Sequence, residues 1–122
     1  MKFYKCDICG NLVTHLSEEV GVVSCCGEDM VELTPNTVDA AVEKHVPVYT
    51  VNGNEVSVKV GEVAHPMLAT HYITAIAVET NKGKYIKKLS PETPAEATFI
   101  LGDGETVVAV YEYCNLHGLW KA

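Results

Sequence analysis

From residue 46 onward, apolar and polar positions alternate in short runs broken by turn residues. VPVYTV (46–51) and EVSVKV (55–60) flank Asn52-Gly53-Asn54. Gly and Asn accept positive φ, so this pair reads as a β-hairpin. HYITAIAVET (71–80) and KYIKKLS (84–90) meet across Asn81-Lys82-Gly83, and TFIL (98–101) and TVVAVYEYC (106–114) across Gly102-Asp103-Gly104-Glu105. This spacing predicts six or seven short strands in an antiparallel β-sandwich, and no stretch carries a convincing helical period.

Residues 1–36 follow a different pattern. Their apolar positions are scattered around CDICGN and SCCGEDM and are too few for an independent core. A fold below about 40 residues needs a disulfide, a metal or a partner. The stretch TPNTVDAA, with Pro35 and small polar residues, reads as a linker, which divides the chain into 1–36 and 37–122.

The composition narrows the possibilities further. The chain has 122 residues, 48% of them hydrophobic and 20% charged, which is ordinary for a folded globular protein. Its net charge is −7, from 16 acids and 9 basic residues, all of them lysine. That balance lacks the basic footprint of a nucleic-acid binder. No apolar run reaches the roughly 18 residues of a membrane span, and MKFYKCDICG has no signal-peptide core, so a cytoplasmic protein without membrane contact is expected. The charge is also uneven. Residues 1–43 hold eight acids and two lysines, whereas residues 44–122 hold eight acids and seven lysines.

The five cysteines argue against a closed disulfide framework, because the number is odd. Four of them, Cys6, Cys9, Cys25 and Cys26, crowd into the first segment. The CxxC spacing lets two thiolates from one tight turn reach one ion, with Gly10 helping the chain turn. Adjacent side chains on extended backbone point apart, so Cys25 and Cys26 can share that ion only if the chain bends sharply, as Gly27 permits. The four thiols would make a tetrahedral site suited to zinc or iron, and spacing alone does not separate the two. The competing reading is free thiols or a redox dithiol at the CxxC.

Cys114 stands apart, three residues before His117 in CNLHG. His45 lies in EKHVP before a strand, and His65 and His71 bracket HPMLATH between strands. All four histidines are thus expected in loops or at strand ends, where a β-sandwich collects functional residues. Four imidazoles and a thiolate are too many donors for tetrahedral zinc, but they suit an iron that prefers six ligands and leave one position open. A thiol nucleophile with a histidine base would leave three histidines unexplained. His15 has no such company and is expected to be solvent-exposed. Lys44, beside His45, would place a mobile cation near the open position.

These motifs, in this order, resemble desulfoferrodoxin, the two-iron class of superoxide reductase, over essentially the whole chain. CDICGN and SCCGEDM are similar to its desulforedoxin-type module, and EKHVP, HPMLATHYI and CNLHGLW to its catalytic domain. The resemblance implies a mainly β fold in which a small metal-held module precedes an immunoglobulin-like antiparallel β-sandwich. It also implies two iron ions per chain. Cys6, Cys9, Cys25 and Cys26 would hold the first. His45, His65, His71 and His117 would be equatorial ligands of the second, with Cys114 axial. The implied reaction is one-electron reduction of superoxide to hydrogen peroxide, with electrons from rubredoxin or a similar donor and a homodimeric assembly. Lys44 would attract superoxide and orient a proton-donating water, and Glu43 resembles the carboxylate that closes onto the iron after turnover. The chain departs from the family at Thr70, where an acid is common, and at Ala75, where Trp is common.

Two readings from other classes remain open at this stage. One is a two-iron electron-transfer protein without superoxide turnover; the other is a zinc-stabilised binding module.

Overall fold

The computed structural model describes residues 1–18 and 21–122. They divide into two compact units, Met1–Thr34 and Pro35–Ala122. Among the described residues, no helix is long and apolar enough to cross a membrane.

Among its described residues, the first unit has five very short strands: β1 (Phe3–Lys5), β2 (Leu12–Thr14), β3 (Ser24–Cys25), β4 (Glu28–Asp29) and β5 (Val31–Glu32). β1 lies between β2 and β5, antiparallel to both, while β3 and β4 form a separate hairpin. Among the described residues of this unit, only Phe3, Cys6 and Met30 are buried apolar residues. Burial on that scale cannot offset the ordering of a segment this size, consistent with a unit held by its cysteines. His15 is half-buried rather than exposed, because its ring packs edge-on against Tyr4 with centroids 5.2 Å apart.

The second unit is a sandwich of seven strands: β6 (Pro47–Asn52), β7 (Glu55–Val60), β8 (Ile73–Thr80), β9 (Lys84–Lys88), β10 (Glu96–Ile100), β11 (Val107–Cys114) and β12 (Gly118–Lys121). One sheet has the order β10-β7-β6 and the other β12-β11-β8-β9, with every pairing antiparallel. The alternation in the sequence is the cause. Val56, Val58 and Val60 of β7 and Ala97 and Phe99 of β10 point inward, opposite Ile76 and Val78 of β8 and Val110 of β11. Asn52 pairs with Glu55 across a two-residue turn with Gly53 at φ 62°.

Two elements were not expected from the alternation. A single helical turn, α1 (Val42–His45), closes with a bond from the Val46 N–H to the Val42 carbonyl at 3.0 Å. One turn of four residues is too short to show a period. The strand β12 escaped because Gly118-Leu119-Trp120-Lys121 follows a loop motif directly and is too short, with Leu119 and Trp120 both buried, to show the alternation of a strand. In addition, β8 begins at Ile73 rather than at His71, which sits instead in a tight turn bridged to Leu68.

Candidate metal centres

In the first unit the chain leaves β1 at Cys6 and turns back to β2. The Cys6 N–H donates to the Asn11 carbonyl, and the Gly10 N–H to the Cys6 carbonyl, both at 2.9 Å. Gly10 has φ 77°, a conformation that glycine takes without cost. On the facing hairpin, Cys25 ends β3, and Cys26 and Gly27 form its two-residue turn with φ 54° and 77°. Two consecutive residues at positive φ make the sharp bend that lets adjacent cysteines converge.

The four sulfurs do converge. Cys9 and Cys25 Sγ are 3.6 Å apart, and Cys25 and Cys26 Sγ 3.9 Å. Thiolates at about 2.3 Å from one tetrahedral ion lie about 3.8 Å apart, so the spacing fits a single metal. The Cys9 N–H, 3.5 Å from Cys6 Sγ, helps draw the Cys6 thiol down to about 7. Crowding against Cys9 and the other sulfurs pushes Cys26 up to about 12. A group of thiols that cannot all ionise together is one that a cation stabilises.

The second cluster sits where β6, β8 and β11 meet their loops. His45 ends α1, with its ring buried and its Nδ1 2.7 Å from the Ala41 carbonyl. His65 is also buried, with Nδ1 2.6 Å from the Pro66 carbonyl. A carbonyl only accepts, so both rings carry their proton on Nδ1 and present the Nε2 lone pair. Cys114 closes β11 with no exposed surface, as part of the sandwich core. His117 ends the three-residue loop between β11 and β12, and Gly118 after it takes φ 77°. The structure therefore brings all five predicted donors together, with His45 on a helical turn instead of a loop or strand end.

Their geometry is a square with one cap. Neighbouring rings meet nearly perpendicular in a closed cycle, His45 to His65, His71, His117 and back to His45, with centroids 4.7 to 5.0 Å apart. His45 Nε2 is 3.1 Å from both His65 Nε2 and His117 Nδ1. Two nitrogens each about 2 Å from one ion and at right angles are about 3 Å apart. Cys114 Sγ lies 3.6 Å from His65 Nε2 and 3.9 Å from His117 Nδ1, so the thiol caps the face toward the core. All five donor atoms fall within 4.8 Å of one another. His71 Nε2 is buried and has no hydrogen-bond partner in the protein, as expected of a nitrogen reserved for a metal. Burial also depresses the basicity of His45, His65 and His71, most strongly at His65, which falls to about 4. Neutral imidazoles are the ligand form.

Three residues near these ligands were not singled out in the sequence, although the first of them lies within CNLHGLW. Trp120, on β12, stacks on His45. Glu112, two residues before Cys114, is buried with neither carboxyl oxygen hydrogen-bonded, and burial pushes it up to about 9. Gly61 lies against α1, where a Cβ would come within 2.6 Å of the Glu43 carbonyl oxygen and 2.9 Å of the Lys44 carbonyl carbon. Glu43 and Lys44 themselves are exposed. Both directly precede the ligand His45 in sequence, on the single turn of α1.

A four-thiol knuckle and a β-sandwich bearing four histidines and a cysteine define a protein with two mononuclear metal centres. A family model described as desulfoferrodoxin matches residues 37–122, and one described as the desulfoferrodoxin N-terminal domain matches residues 1–33. The desulfoferrodoxin of Syntrophotalea carbinolica is 48% identical over 122 residues, covering 100% of this chain and 95% of its own. The crystal structure of superoxide reductase from Treponema pallidum superposes with TM-score 0.83 and 40% identity, over 99% of this chain and 97% of that one. The one-iron superoxide reductase of Giardia intestinalis gives TM-score 0.57 and 32% identity, covering 66% of this chain and 95% of its own. The chain belongs to the desulfoferrodoxin family, and it carries donor sets for both of that family's iron ions.

Proposed function

We propose that this protein is a superoxide reductase that turns superoxide into hydrogen peroxide at the four-histidine, one-cysteine centre. The observation that carries the reading is the square of imidazoles capped on its buried side by Cys114, with the exposed Lys44 next to His45 on α1. Iron bound in the square supplies the one-electron reduction. The surrounding residues do the rest. The Lys44 ammonium draws an anion toward the square and offers N–H groups that orient it and a proton-donating water. Cys114 would hold the ion as a thiolate from the buried side of the square and would donate electron density to it. Glu43, adjacent to Lys44, would supply a carboxylate next to the bound ion.

The remaining parts of the reading rest on family membership. Electrons arrive from rubredoxin or a similar carrier, the protein works in the cytoplasm, and it assembles as a homodimer. Residues 1–36 act as the Fe(SCys)4 module and residues 37–122 as the catalytic domain. The two family models, which match 1–33 and 37–122, support this division. So does the one-iron Giardia enzyme, which aligns to 66% of the chain. The test is the decay of pulse-generated superoxide. Ferrous protein should accelerate it strongly over metal-free protein; equal decay would point to an electron carrier instead.

A further inference from the structure

We infer that Asn115 is a positioning residue for the second iron, a clamp that fixes the ligand His71 through the backbone on both of its sides. Asn115 follows Cys114 directly and opens the loop that ends in His117. Its side-chain Oδ1 accepts from the Tyr72 N–H at 2.9 Å, and its Nδ2 donates to the Thr70 carbonyl at 3.0 Å. Its own N–H donates to the Tyr72 carbonyl at 3.2 Å. One residue thus grips the peptides immediately before and after His71.

The reason for such a grip lies in how His71 is otherwise held. His45 and His65 have their rings oriented by carbonyl acceptors at Nδ1. His71 offers its Nε2 to the metal, and the residue lies outside β8 in a turn bridged to Leu68. Its own N–H and carbonyl are both spent on Leu68, at 3.0 and 2.9 Å. That bridge closes the turn locally but does not tie it to β11. The β8–β11 ladder shifts register after Tyr113 and ends with Cys114 opposite Ile73, so it stops short of His71. Asn115 makes the link, and it does so from the residue between Cys114 and the rest of the His117 loop. The turn that carries His71 is therefore tied to the residue that directly follows Cys114. Because the clamp uses the Thr70 carbonyl, it is independent of the side chain at position 70. This inference rests on the reading of His71 as a ligand.

The test compares iron release from the second centre to a chelator, followed by that centre's own absorption, with hydrogen exchange of the Tyr72 amide as a second readout. In Asn115→Ala, release should be about tenfold faster or more, the usual effect of losing an outer hydrogen bond to a metal site. Exchange at Tyr72 should rise, and the four-cysteine centre should be unchanged. Asn81→Ala is the matched control. Asn81 makes the same type of amide clasp, accepting from the Thr106 N–H at 2.9 Å and donating to the Gly104 carbonyl at 3.3 Å, at the opposite end of β8. It should leave iron release at the parent rate. Equal release from parent and Asn115→Ala, or equal acceleration in both variants, overturns the proposal. If Asn115→Ala does not fold, Asn115→Asp carries the test. It keeps the acceptor for Tyr72 and loses the donor to Thr70, so selective acceleration is again expected, and the parent rate overturns the clamp. His71→Ala separates the two layers of the argument: an unaltered second-centre spectrum in that variant refutes the ligand reading itself.

Discussion

Trp120 stacks on His45, with ring centroids 4.9 Å apart and planes inclined at 28°. Its indole N–H donates to the His117 carbonyl at 3.1 Å, so a single side chain steadies two corners of the histidine square. Trp120→Phe keeps a ring beneath His45 and deletes the hydrogen bond. It should speed iron loss from the second centre by about tenfold and leave the four-cysteine spectrum intact. Chelator competition read at each centre's absorption checks this.

Gly61→Ala should misplace α1. The added methyl would sit 2.6 Å from the Glu43 carbonyl oxygen, and backbone cannot yield as a side-chain tip can. Overpacking of this kind costs about 1–3 kcal/mol. Denaturant melts should show that loss, together with weakened metal binding at His45; a variant with parental stability would mean that α1 is free to move away.

Lys44→Ala should slow the reaction with superoxide and flatten its dependence on ionic strength, because a screened attraction has been removed. Lys44→Arg should retain most of the salt slope. Stopped mixing at several ionic strengths distinguishes these outcomes, and an unchanged rate and slope would take Lys44 out of the mechanism.

At the far end of the sandwich, Glu105 accepts from the Thr80 hydroxyl at 2.6 Å and the Tyr85 hydroxyl at 2.7 Å. These bonds, Thr80 first, hold its carboxyl below the ordinary 4.5. The contribution of the ionised form is thus complete above that ordinary value and is lost as pH falls through the lower folded value. Tyr85 is shifted the other way, raised from 10.0 chiefly by its bond to Glu105, so its contribution is lost as pH rises above 10.0. Glu105→Gln should melt at lower temperature than the parent at neutral pH, with the gap narrowing in acid. Melting curves from neutral pH to about pH 3 should converge; parallel curves would contradict the pairing.

Cys9→Ser should abolish the spectrum of the first centre while pre-reduced protein still consumes superoxide. Loss of both spectra together would show that the centres are not independent.

The donors were legible in the sequence because their chemistry is carried by residue type and spacing: CxxC, the adjacent Cys25 and Cys26, and the pairing of Cys114 with His117. The strands were legible for a similar reason, since the β7 pattern Val56, Val58, Val60 repeats with the period of the pleat. What holds the donors was not legible. The Ala41 and Pro66 carbonyls that orient His45 and His65 are backbone atoms, with no signature in residue identity. Asn115 grips residues more than 40 positions away, and Gly61 matters only because α1 lies against it. These are tertiary relationships, set once both sheets have packed. His15 shows the converse: its lack of nearby donors correctly left it out of both clusters, but not out of contact with Tyr4.

The most direct test of the central claim is product stoichiometry. Ferrous protein mixed anaerobically with limiting superoxide should form one hydrogen peroxide for each superoxide consumed, release no dioxygen, and oxidise one second-centre iron each time. One dioxygen formed for every hydrogen peroxide would mean dismutation and would contradict the account.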